Sequence, residues 1–429
     1  MDHIPRDRDD PPQAVDAALP PPVRRAASGS SGARGATWVA VAMAGANALG
    51  YLLNLVASRV LGPTAFGALG ALLGLVLIGN VVALGLQTVT ARVLASSPGG
   101  GGRSAGDLYR LGRWSAVAVA GLAFAAAPVV AHLLHLRDGW SAWVLPVILG
   151  SLTVTGVQLG LLQGGERFRR LAGLYLLAAA GKVGGGLLGL AVGGTVTSTM
   201  AGTAAGALVS AATGHLLVRD QLVSPARGPV TGHLSELLWA THALLVLFML
   251  TNVDVLLARH YLPGPEAGLY AVGAVVAKGA FWLPSFVAVV ALPALADQQR
   301  RRRAAGRAIA AVTASGVVFT AFCAAFGDLV VTVVGGSAYA ALAPDVWLFA
   351  AAGSLYALAQ LLLFSRLATT DRRALAVVWA GLALLLVLVI GWWHQSATEI
   401  VVCVLVAASA VVAAGLLAEL HEHGRSLRA

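Results

Sequence analysis

Apolar stretches of about 20 residues recur along the whole chain, and each is long enough to cross roughly 30 Å of hydrocarbon as a helix. With 58% hydrophobic residues, 11% charged residues and a mean hydropathy of +0.80, the chain has too little polar surface to cover a soluble particle of this size. We therefore predict an all-α, polytopic membrane protein with 12 transmembrane helices. The predicted spans are 36–58, 67–90, 112–134, 142–163, 171–192, 196–218, 235–258, 268–293, 308–327, 344–364, 373–393 and 398–419.

The 29 Lys and Arg residues are sorted between the two sides of this predicted membrane. They fall in alternate connections, except for Arg59, Arg137 and Arg259 on the opposite side and Lys182 and Lys278 inside predicted helices. Because cytoplasmic loops carry the excess of basic residues, we predict a cytoplasmic-membrane protein with both termini inside. The net charge of +10 is explained by arginines that meet anionic lipid headgroups, so we expect no nucleic acid partner.

The chain divides into five parts. Residues 1–35 contain six prolines, mixed charge and a Ser/Gly run, a composition that cannot bury enough surface to fold. We predict that they form a disordered cytoplasmic tail and that the first apolar run is a retained helix, since it has full spanning length and no convincing cleavage context. The remaining parts are an N-lobe at 36–218, a cytoplasmic linker at 219–234, a C-lobe at 235–420 and a cytoplasmic C-terminal tail at 421–429.

The two halves of the chain resemble each other. A shift of 200 to 203 residues pairs the following positions: Asn54 with Asp254, Arg59 with Arg259, Leu61 with Leu262, Gly67 with Gly268, Gln158 with Gln360, and Arg169 and Arg170 with Arg372 and Arg373. Six spans per half is an even number, so both copies must have the same orientation. The pattern predicts two pseudo-symmetric six-helix lobes related by an axis along the membrane normal.

Four segments carry a resemblance to a known family. They are YLLNLVASRVLGPTAFGALGALLGL (51–75), GLQTVTARVLA (85–95), NVDVLLARHYLPGPEAGLYAVGAVVAK (252–278) and ALPALAD (291–297). They resemble the polysaccharide-biosynthesis flippases, the oligosaccharidyl-lipid branch of the multidrug/oligosaccharidyl-lipid/polysaccharide (MOP) exporter superfamily, over essentially residues 36–420. The resemblance implies a V-shaped, MATE-like exporter that moves polyprenyl-diphosphate-linked glycans from the inner to the outer leaflet by alternating access.

A carrier of such a substrate needs cations for the diphosphate. The only two lysines, Lys182 and Lys278, lie about 15 Å inside predicted helices 5 and 8, near the membrane midplane. An ammonium group there costs about 3 kcal/mol, so it must face a wet cavity or a partner. We predict diphosphate capture; the alternative is a structural role, for example pairing of Lys278 with Asp254. Lys278 has Leu77 at the repeat-equivalent position, so the fold itself does not require a cation there.

The carrier also needs uncharged groups for sugar hydroxyls. Predicted helix 1 carries a polar and small stripe at helical spacing, formed by Asn47, Gly50, Tyr51, Asn54 and Ser58. Further amides lie in other predicted helices, at Asn80, Gln87, Gln158, Asn252 and Gln360. Amides bind sugars, but they also hold membrane helices together, and the sequence leaves both readings open. The predicted substrate-binding residues are Lys182, Lys278, Asn47, Tyr51, Asn54, Asn80, Gln87 and Asn252.

Asp254 is the carboxylate inside a predicted span, and we predict an ion-coupling or proton-relay role for it. The alternative is an ion pair with Arg259 on the same helix. Arg59 and Arg259, at the outer mouth, are predicted gate residues that hold or release phosphate; alternatively they fix the outer ends of helices 1 and 7.

No cofactor or metal site is expected. Cys323 and Cys403 lie within predicted helices, and the pairs His132 with His135 and His421 with His423 lack a third ligand. No nucleotide-binding pattern is present, so an ion gradient, the membrane potential or the substrate gradient must supply the energy.

Three alternatives stay open. The first is a cation-coupled multidrug (MATE-type) efflux transporter, the second a membrane glycosyltransferase, polymerase or ligase, and the third a partner-recruiting protein without transport. Enzymes of the second class need outward carboxylate pairs or a sizeable outer loop, so we expect no enzymatic activity. The expected partners are the lipid-linked glycan, membrane lipids and other polysaccharide-assembly membrane proteins.

Overall fold

The computed structural model describes residues 30–96, 101–222, 234–282, 301–367 and 372–426, and the long elements within these ranges are all α-helices. The first half contains α1 (Ser30–Gly79), α2 (Val81–Ala95), α3 (Gly101–Leu133), α4 (Trp140–Trp143), α5 (Leu145–Gly164), α6 (Phe168–Gly193) and α7 (Val196–Val218). The second half contains α8 (Leu234–Leu250), α9 (Val253–Tyr261), α10 (Gly264–Trp282), α11 (Arg301–Ala325), α12 (Gly327–Val334), α13 (Val346–Leu367), α14 (Arg372–Gly391) and α15 (Ala397–Ser426). Short 3-10 segments cover Arg219–Gln221 and Ser337–Asp345. The predicted all-α class is confirmed.

Among the described residues, 9 helical stretches are long and apolar enough to cross a membrane. One of them, Trp38–Ala95, has 58 residues and joins two predicted spans. It bends at Gly62, where φ is 70° and ψ is 171°, a conformation that glycine adopts without steric cost, and Pro63 follows. Residues before the bend (46–54) and after it (70–77) line one cavity, so the chain turns back on itself here. The 9 stretches are compatible with the predicted 12 spans.

Two predicted boundaries differ from the observed helices. Helix α1 begins at Ser30, inside the predicted tail 1–35, and α15 continues to Ser426, inside the predicted tail 421–429. Hydropathy marks only the part of a helix that lies in hydrocarbon, whereas a helix can extend beyond the bilayer. Residues 1–29, the glycine-rich tether at 97–100, most of the predicted linker and the ALPALAD segment lie outside the described residues.

Helix packing follows the same scheme in both halves of the chain. In the first half, α5 packs against α2, α3 and α7, and α6 packs against α7. In the second half, α13 packs against α10, α11 and α15, and α14 packs against α15. Each pair in the first half thus has a counterpart at the equivalent place in the second, which is the arrangement that the internal repeat predicted.

Helices α6 and α7 approach each other through glycines. A Cβ atom at Gly185 would overlap the backbone of Gly202, and one at Gly202 would overlap the backbone of Gly185. Gly181 and Gly206 repeat this contact one turn further along. Such small-residue contacts let transmembrane helices pack backbone to backbone, and here they fix the turn of α6 that carries Lys182.

This contact yields a stability prediction. Gly202→Ala forces α6 and α7 apart, so we expect it to lower the free energy of unfolding by about 1–3 kcal/mol and to lower the melting temperature of the purified protein in detergent. Gly184→Ala is the matched control, because a Cβ atom there meets nothing within 4 Å. Its stability should change by no more than about 1 kcal/mol. Equal effects of the two substitutions would contradict the glycine contact.

Candidate functional site

A cavity of about 270 Å³ lies between the two lobes. Helices α1, α6 and α7 line it from the first lobe, and α9 and α10 line it from the second. Its polar lining residues are Asn47, Tyr51, Asn54, Lys182, Thr203 and Lys278. The two lysines of the protein thus enter one cavity from opposite lobes.

Both lysine side chains are half-buried. In the portion of the chain that the structure describes, Lys182 and Lys278 have neither a hydrogen bond nor an ion pair within 4.0 Å. An ammonium group inside a membrane protein needs water or an anion when no protein group neutralises it. Leu77, the repeat equivalent of Lys278, lines the same cavity. The two equivalent positions therefore both face the cavity, but one is apolar and the other carries an ammonium group.

The polar stripe of α1 is divided between two environments. Its inner members line the cavity: Asn47, Gly50, Tyr51 and Asn54. Its outer member, Ser58, is buried and donates a 3.0 Å hydrogen bond to the carbonyl of Val334 at the end of α12. The helical spacing therefore identified a face that is sheltered throughout, and the inner part of that face is open to a ligand.

The Tyr51 hydroxyl is buried and has no hydrogen-bond partner among the described residues. The side-chain amide of Asn54, in contrast, donates a 3.0 Å bond to the carbonyl of Gly50 in the preceding turn, which leaves the Asn54 amide oxygen free of that bond. These two side chains offer the cavity hydrogen-bonding groups that carry no charge.

A second cavity of about 70 Å³ adjoins the first on the side of the C-lobe. Both cavities are lined by Leu77, Ala274, Lys278 and Trp282, and the smaller one adds Thr251, Asn252, Asp254, Tyr356 and Gln360. Lys278 is therefore the charged side chain that reaches both cavities.

Asp254 is held by one hydrogen bond and has one oxygen without a partner. Its Oδ2 accepts a 2.8 Å bond from the Tyr270 hydroxyl, while Oδ1 is buried without a described partner. The amide oxygen of Asn252 is also buried and unpaired among the described residues, although its Nδ2 donates to Phe248 at 3.0 Å. Two acceptor oxygens thus lie in the smaller cavity without a donor.

The alternative ion pair between Asp254 and Arg259 is wrong. The Arg259 guanidinium instead donates to the carbonyls of Leu134 at 2.9 Å and His135 at 3.1 Å. Residues five apart on a helix lie roughly 140° apart around its axis, so the two side chains of α9 leave on different faces.

Both predicted gate arginines bind backbone carbonyls at the outer side, the side opposite the basic connections. Arg259 also donates to Thr64 at 3.4 Å. Arg59 donates from Nη2 to the carbonyls of Val333 at 2.5 Å and Thr332 at 3.2 Å, at the end of α12. Neither arginine lines the described cavities, and both tie helix ends together, whereas a phosphate contact stays a prediction.

The outer side of the lobe boundary is closed by backbone contacts. A side chain at Gly67 would overlap the backbone of Ala267 and Gly268, and one at Gly268 would overlap the backbone of Pro63. Gly67 and Gly268 are repeat equivalents, and equivalent residues meet where a two-fold axis passes. These contacts therefore hold the two lobes together on this side.

Two predicted substrate-binding residues lie elsewhere. Asn80 occupies the break between α1 and α2 and lines neither described cavity. Gln87 donates to Gln163 at 3.0 Å and to the hydroxyl of Tyr175, so it joins helices within the N-lobe. This is the helix-binding role that amides share with sugar binding.

Several lining residues were not singled out from the sequence: Thr203, Thr251, Trp282 and Tyr356. Tyr356 precedes Gln360 by one helical turn, so the same-face spacing that marked α1 could have found it. Thr203 and Thr251 carry no comparable signal, because most membrane threonines return their hydroxyl to the helix backbone, as both do here.

Two equivalent lobes that enclose a cation-bearing cavity define a polytopic membrane transporter. The sequence profile of the family described as polysaccharide biosynthesis protein matches residues 33–299, which is more than half of the chain, and the protein belongs to that family. The predicted resemblance is thereby confirmed. Among curated proteins no sequence matches the chain.

Solved structures of the MOP superfamily share the fold. The lipid II flippase MurJ in an inward closed conformation aligns with a TM-score of 0.69 at 10% identity, over 89% of this chain and 87% of that one. An inward-facing multidrug resistance MATE transporter aligns at 0.62 and 14% identity, over 86% and 93%. A eukaryotic MATE transporter aligns at 0.63 and 12% identity, over 91% and 96%.

The contrast between the buried hydroxyl groups of two tyrosines gives a prediction. Tyr51→Phe removes a hydroxyl that has no described partner, so the melting temperature should stay the same or rise. Tyr270→Phe, the matched control, leaves the Asp254 Oδ2 without its donor and should cost about 1–3 kcal/mol. Thermal unfolding of both variants in detergent checks this, and a Tyr51→Phe loss as large as that of Tyr270→Phe would contradict it.

Proposed function

We propose that the protein is a flippase that moves polyprenyl-diphosphate-linked glycans from the inner to the outer leaflet of the cytoplasmic membrane. The observation that carries the proposal is the inter-lobe cavity, which receives Lys182 from one lobe and Lys278 from the other. A diphosphate between them bonds to both lobes at once. Membership of the polysaccharide biosynthesis protein family supports the same class of substrate.

Each part of the substrate has a matching part of the cavity. The lysines supply charge-assisted hydrogen bonds to the diphosphate, and the amides of Asn47 and Asn54 and the Tyr51 hydroxyl supply neutral bonds to sugar hydroxyls. A volume of about 270 Å³ is small for a ligand site. In this state it fits the diphosphate and the first sugar, and the apolar tail stays in lipid.

Transport in this proposal is alternating access without a chemical step. The outer side is closed by the contact of Gly67 with Ala267 and Gly268. Binding of one diphosphate by lysines of both lobes draws the lobes together around the substrate, and opening of the outer contacts then releases it. The termini remain in the cytoplasm, as the distribution of basic residues predicts.

Asp254 is the proposed coupling group. Three ionisable side chains face Asp254: those of Tyr270, Tyr356 and Lys278. A buried carboxylate with a free oxygen is stabilised by a cation or by a proton, and Lys278 supplies the cation as long as it is turned toward the smaller cavity. A diphosphate that draws Lys278 into the larger cavity leaves Asp254 to take up a proton or another cation, which couples substrate binding to an ion.

The second candidate function is efflux of cationic drugs, and the buried Asp254 is the observation that favours it. The positive charge of the larger cavity argues against drug efflux, because its described lining contains two lysines and no carboxylate. A cationic drug would meet repulsion there. We therefore prefer the anionic glycan carrier, with membrane lipids and other polysaccharide-assembly membrane proteins as its proposed partners.

The lysines give the decisive prediction. Lys182→Ala and Lys278→Ala each remove a charge-assisted bond worth about 1.5–3 kcal/mol, so each should weaken substrate binding roughly tenfold to hundredfold and abolish glycan export. The measurement is glycan reaching the cell surface when the variant replaces the native protein, with the membrane level of each variant checked by immunoblot.

Charge-preserving variants are the controls. Lys182→Arg and Lys278→Arg keep the cation and should retain part of the export. Normal export in both alanine variants would refute the assignment of the lysines to substrate capture, and export of cationic drugs by the native protein would favour the second candidate.

Asp254 gives a separate prediction. Asp254→Asn keeps the shape and the Tyr270 contact but cannot exchange a proton, so transport into vesicles should lose its response to an imposed ion gradient while the substrate still binds. Asp220→Asn is the control carboxylate. Asp220 lies on the surface, where hydrogen bonds from Arg167 and Arg170 hold its pKa at about 2. An unchanged gradient response in Asp254→Asn would exclude Asp254 as the coupling group.

A further inference from the structure

The outer end of α3 is bound across the lobe boundary by two adjacent side chains of α9. His260 donates from Nδ1 to the carbonyl of Leu133 at 2.8 Å, and Arg259 donates to the carbonyls of Leu134 and His135. The last carbonyls of a helix have no partner within that helix, so here the C-lobe supplies the donors. We name this set of three carbonyls and two side chains the outer latch.

A pair of histidine rings lies directly over the outer latch. The ring of His135, from the N-lobe, stacks on that of His260, from the C-lobe, with centroids 5.4 Å apart and an angle of 21° between the planes. His135 has φ of 47°, in the left-handed region that few residues other than glycine and asparagine adopt readily. The turn is held in this conformation while its carbonyl accepts from Arg259.

The surroundings of the pair are basic and aromatic. Arg259 lies beside it and is close enough to Arg137 for the two charges to interact. On the other side His260 contacts Tyr261, whose ring contacts that of His394 at 4.4 Å.

The carboxylates on neighbouring outer turns have partners of their own. Asp138 accepts from Thr197 at 2.6 Å, and Glu399 accepts from the backbone amide of Gln395 at 2.9 Å. These donors are neutral, so both carboxylates keep their charge, but neither forms an ion pair within 4.0 Å with His135 or His260 among the described residues.

We propose that the His135–His260 pair makes the outer latch respond to pH, so that protonation of both rings opens the outer side of the lobe boundary. Histidine is the side chain that changes charge between about pH 5 and 8. The Leu133 carbonyl can only accept, so Nδ1 of His260 carries a proton and Nε2 receives the second one. One charged ring is tolerated at the negative end of α3, but two stacked imidazolium rings beside Arg259 and Arg137 repel each other.

His135 is exposed and His260 is half-buried, so protons reach both rings in the closed state, where two charges would lie 5.4 Å apart. When the lobes separate, the rings part and each can hold a proton without repulsion from the other, so the open state binds more protons than the closed one. A fall in pH on the outer side therefore shifts the population toward the open state. This inference needs only the two-lobed fold, and its failure would leave the proposed substrate untouched.

Distance measurements between the lobes test the inference without any substrate. Spin labels on Trp140→Cys and Gln395→Cys report the outer separation, since both sites are exposed and the native Cys323 and Cys403 are buried. In lipid nanodiscs the labelled double-cysteine protein that retains both histidines should show longer distances as the pH is lowered from 8 to 5. The midpoint of the change should lie in the pH range where histidine side chains change charge.

Single substitutions separate the pair from general acid effects. His135→Asn removes one ring while asparagine still tolerates the left-handed backbone, so the pH-dependent shift should disappear. His132→Asn changes an exposed histidine on the same turn and should keep the shift. His260→Asn, which retains an amide donor for Leu133, is the second test if His135→Asn does not fold. A distribution that does not change with pH in the native background, or an equal shift with and without His135, would overturn the proposal.

Discussion

An ammonium group inside a membrane protein costs about 3 kcal/mol unless it faces water or an anion, and this constraint governs the centre of the structure. Lys182 and Lys278 can be kept only if the two lobes leave a space between them, which is the cavity of about 270 Å³. The glycine contacts between α6 and α7 place one cation, and α10 places the other. The remainder of each lobe holds these two positions on opposite sides of the boundary.

Closure of the outer side depends on a different kind of interaction. There the lobes meet through backbone atoms, with Gly67 against Gly268, and through side chains that bind carbonyls, such as Arg59 and Arg259. Buried apolar side chains of both lobes pack beside these contacts, such as Phe66 against Tyr339 with ring centroids 6.2 Å apart, so opening of the outer side also exposes apolar surface. The inner part of the boundary, in contrast, is lined by ammonium groups, amides and a hydroxyl that can bind a ligand. The same boundary therefore contains contacts that close the outer side and a cavity that can bind a ligand.

The sequence predicted the fold well because a membrane leaves few alternatives. Spanning length, alternate basic connections and the shift of about 200 residues predicted helices and a repeat, and the observed helix pairs follow the same scheme in both halves. The stripe on α1 was predicted from spacing alone, and Asn47, Tyr51 and Asn54 indeed line one cavity. The helix ends were less predictable. Hydropathy does not mark where a helix begins or ends outside the hydrocarbon, as the first helix does at Ser30 and the last at Ser426.

Single polar residues were harder to assign, because the sequence of a helix does not indicate which group an amide, a carboxylate or a guanidinium on it will bind. Gln87 binds Gln163 and Tyr175 within the N-lobe, and Arg259 binds carbonyls of a turn more than 100 residues away, which no local pattern indicates. The stacked pair of His135 and His260 likewise exists only because α3 and α9 end at the same place.

The site of diphosphate binding can be seen in an experimental structure with a bound polyprenyl-diphosphate-linked sugar. We expect its two phosphorus atoms to lie between Lys182 and Lys278 and its first sugar to lie along Asn47, Tyr51 and Asn54. A diphosphate bound only to the arginines of the basic turns, with the inter-lobe cavity occupied by lipid or closed, would contradict it.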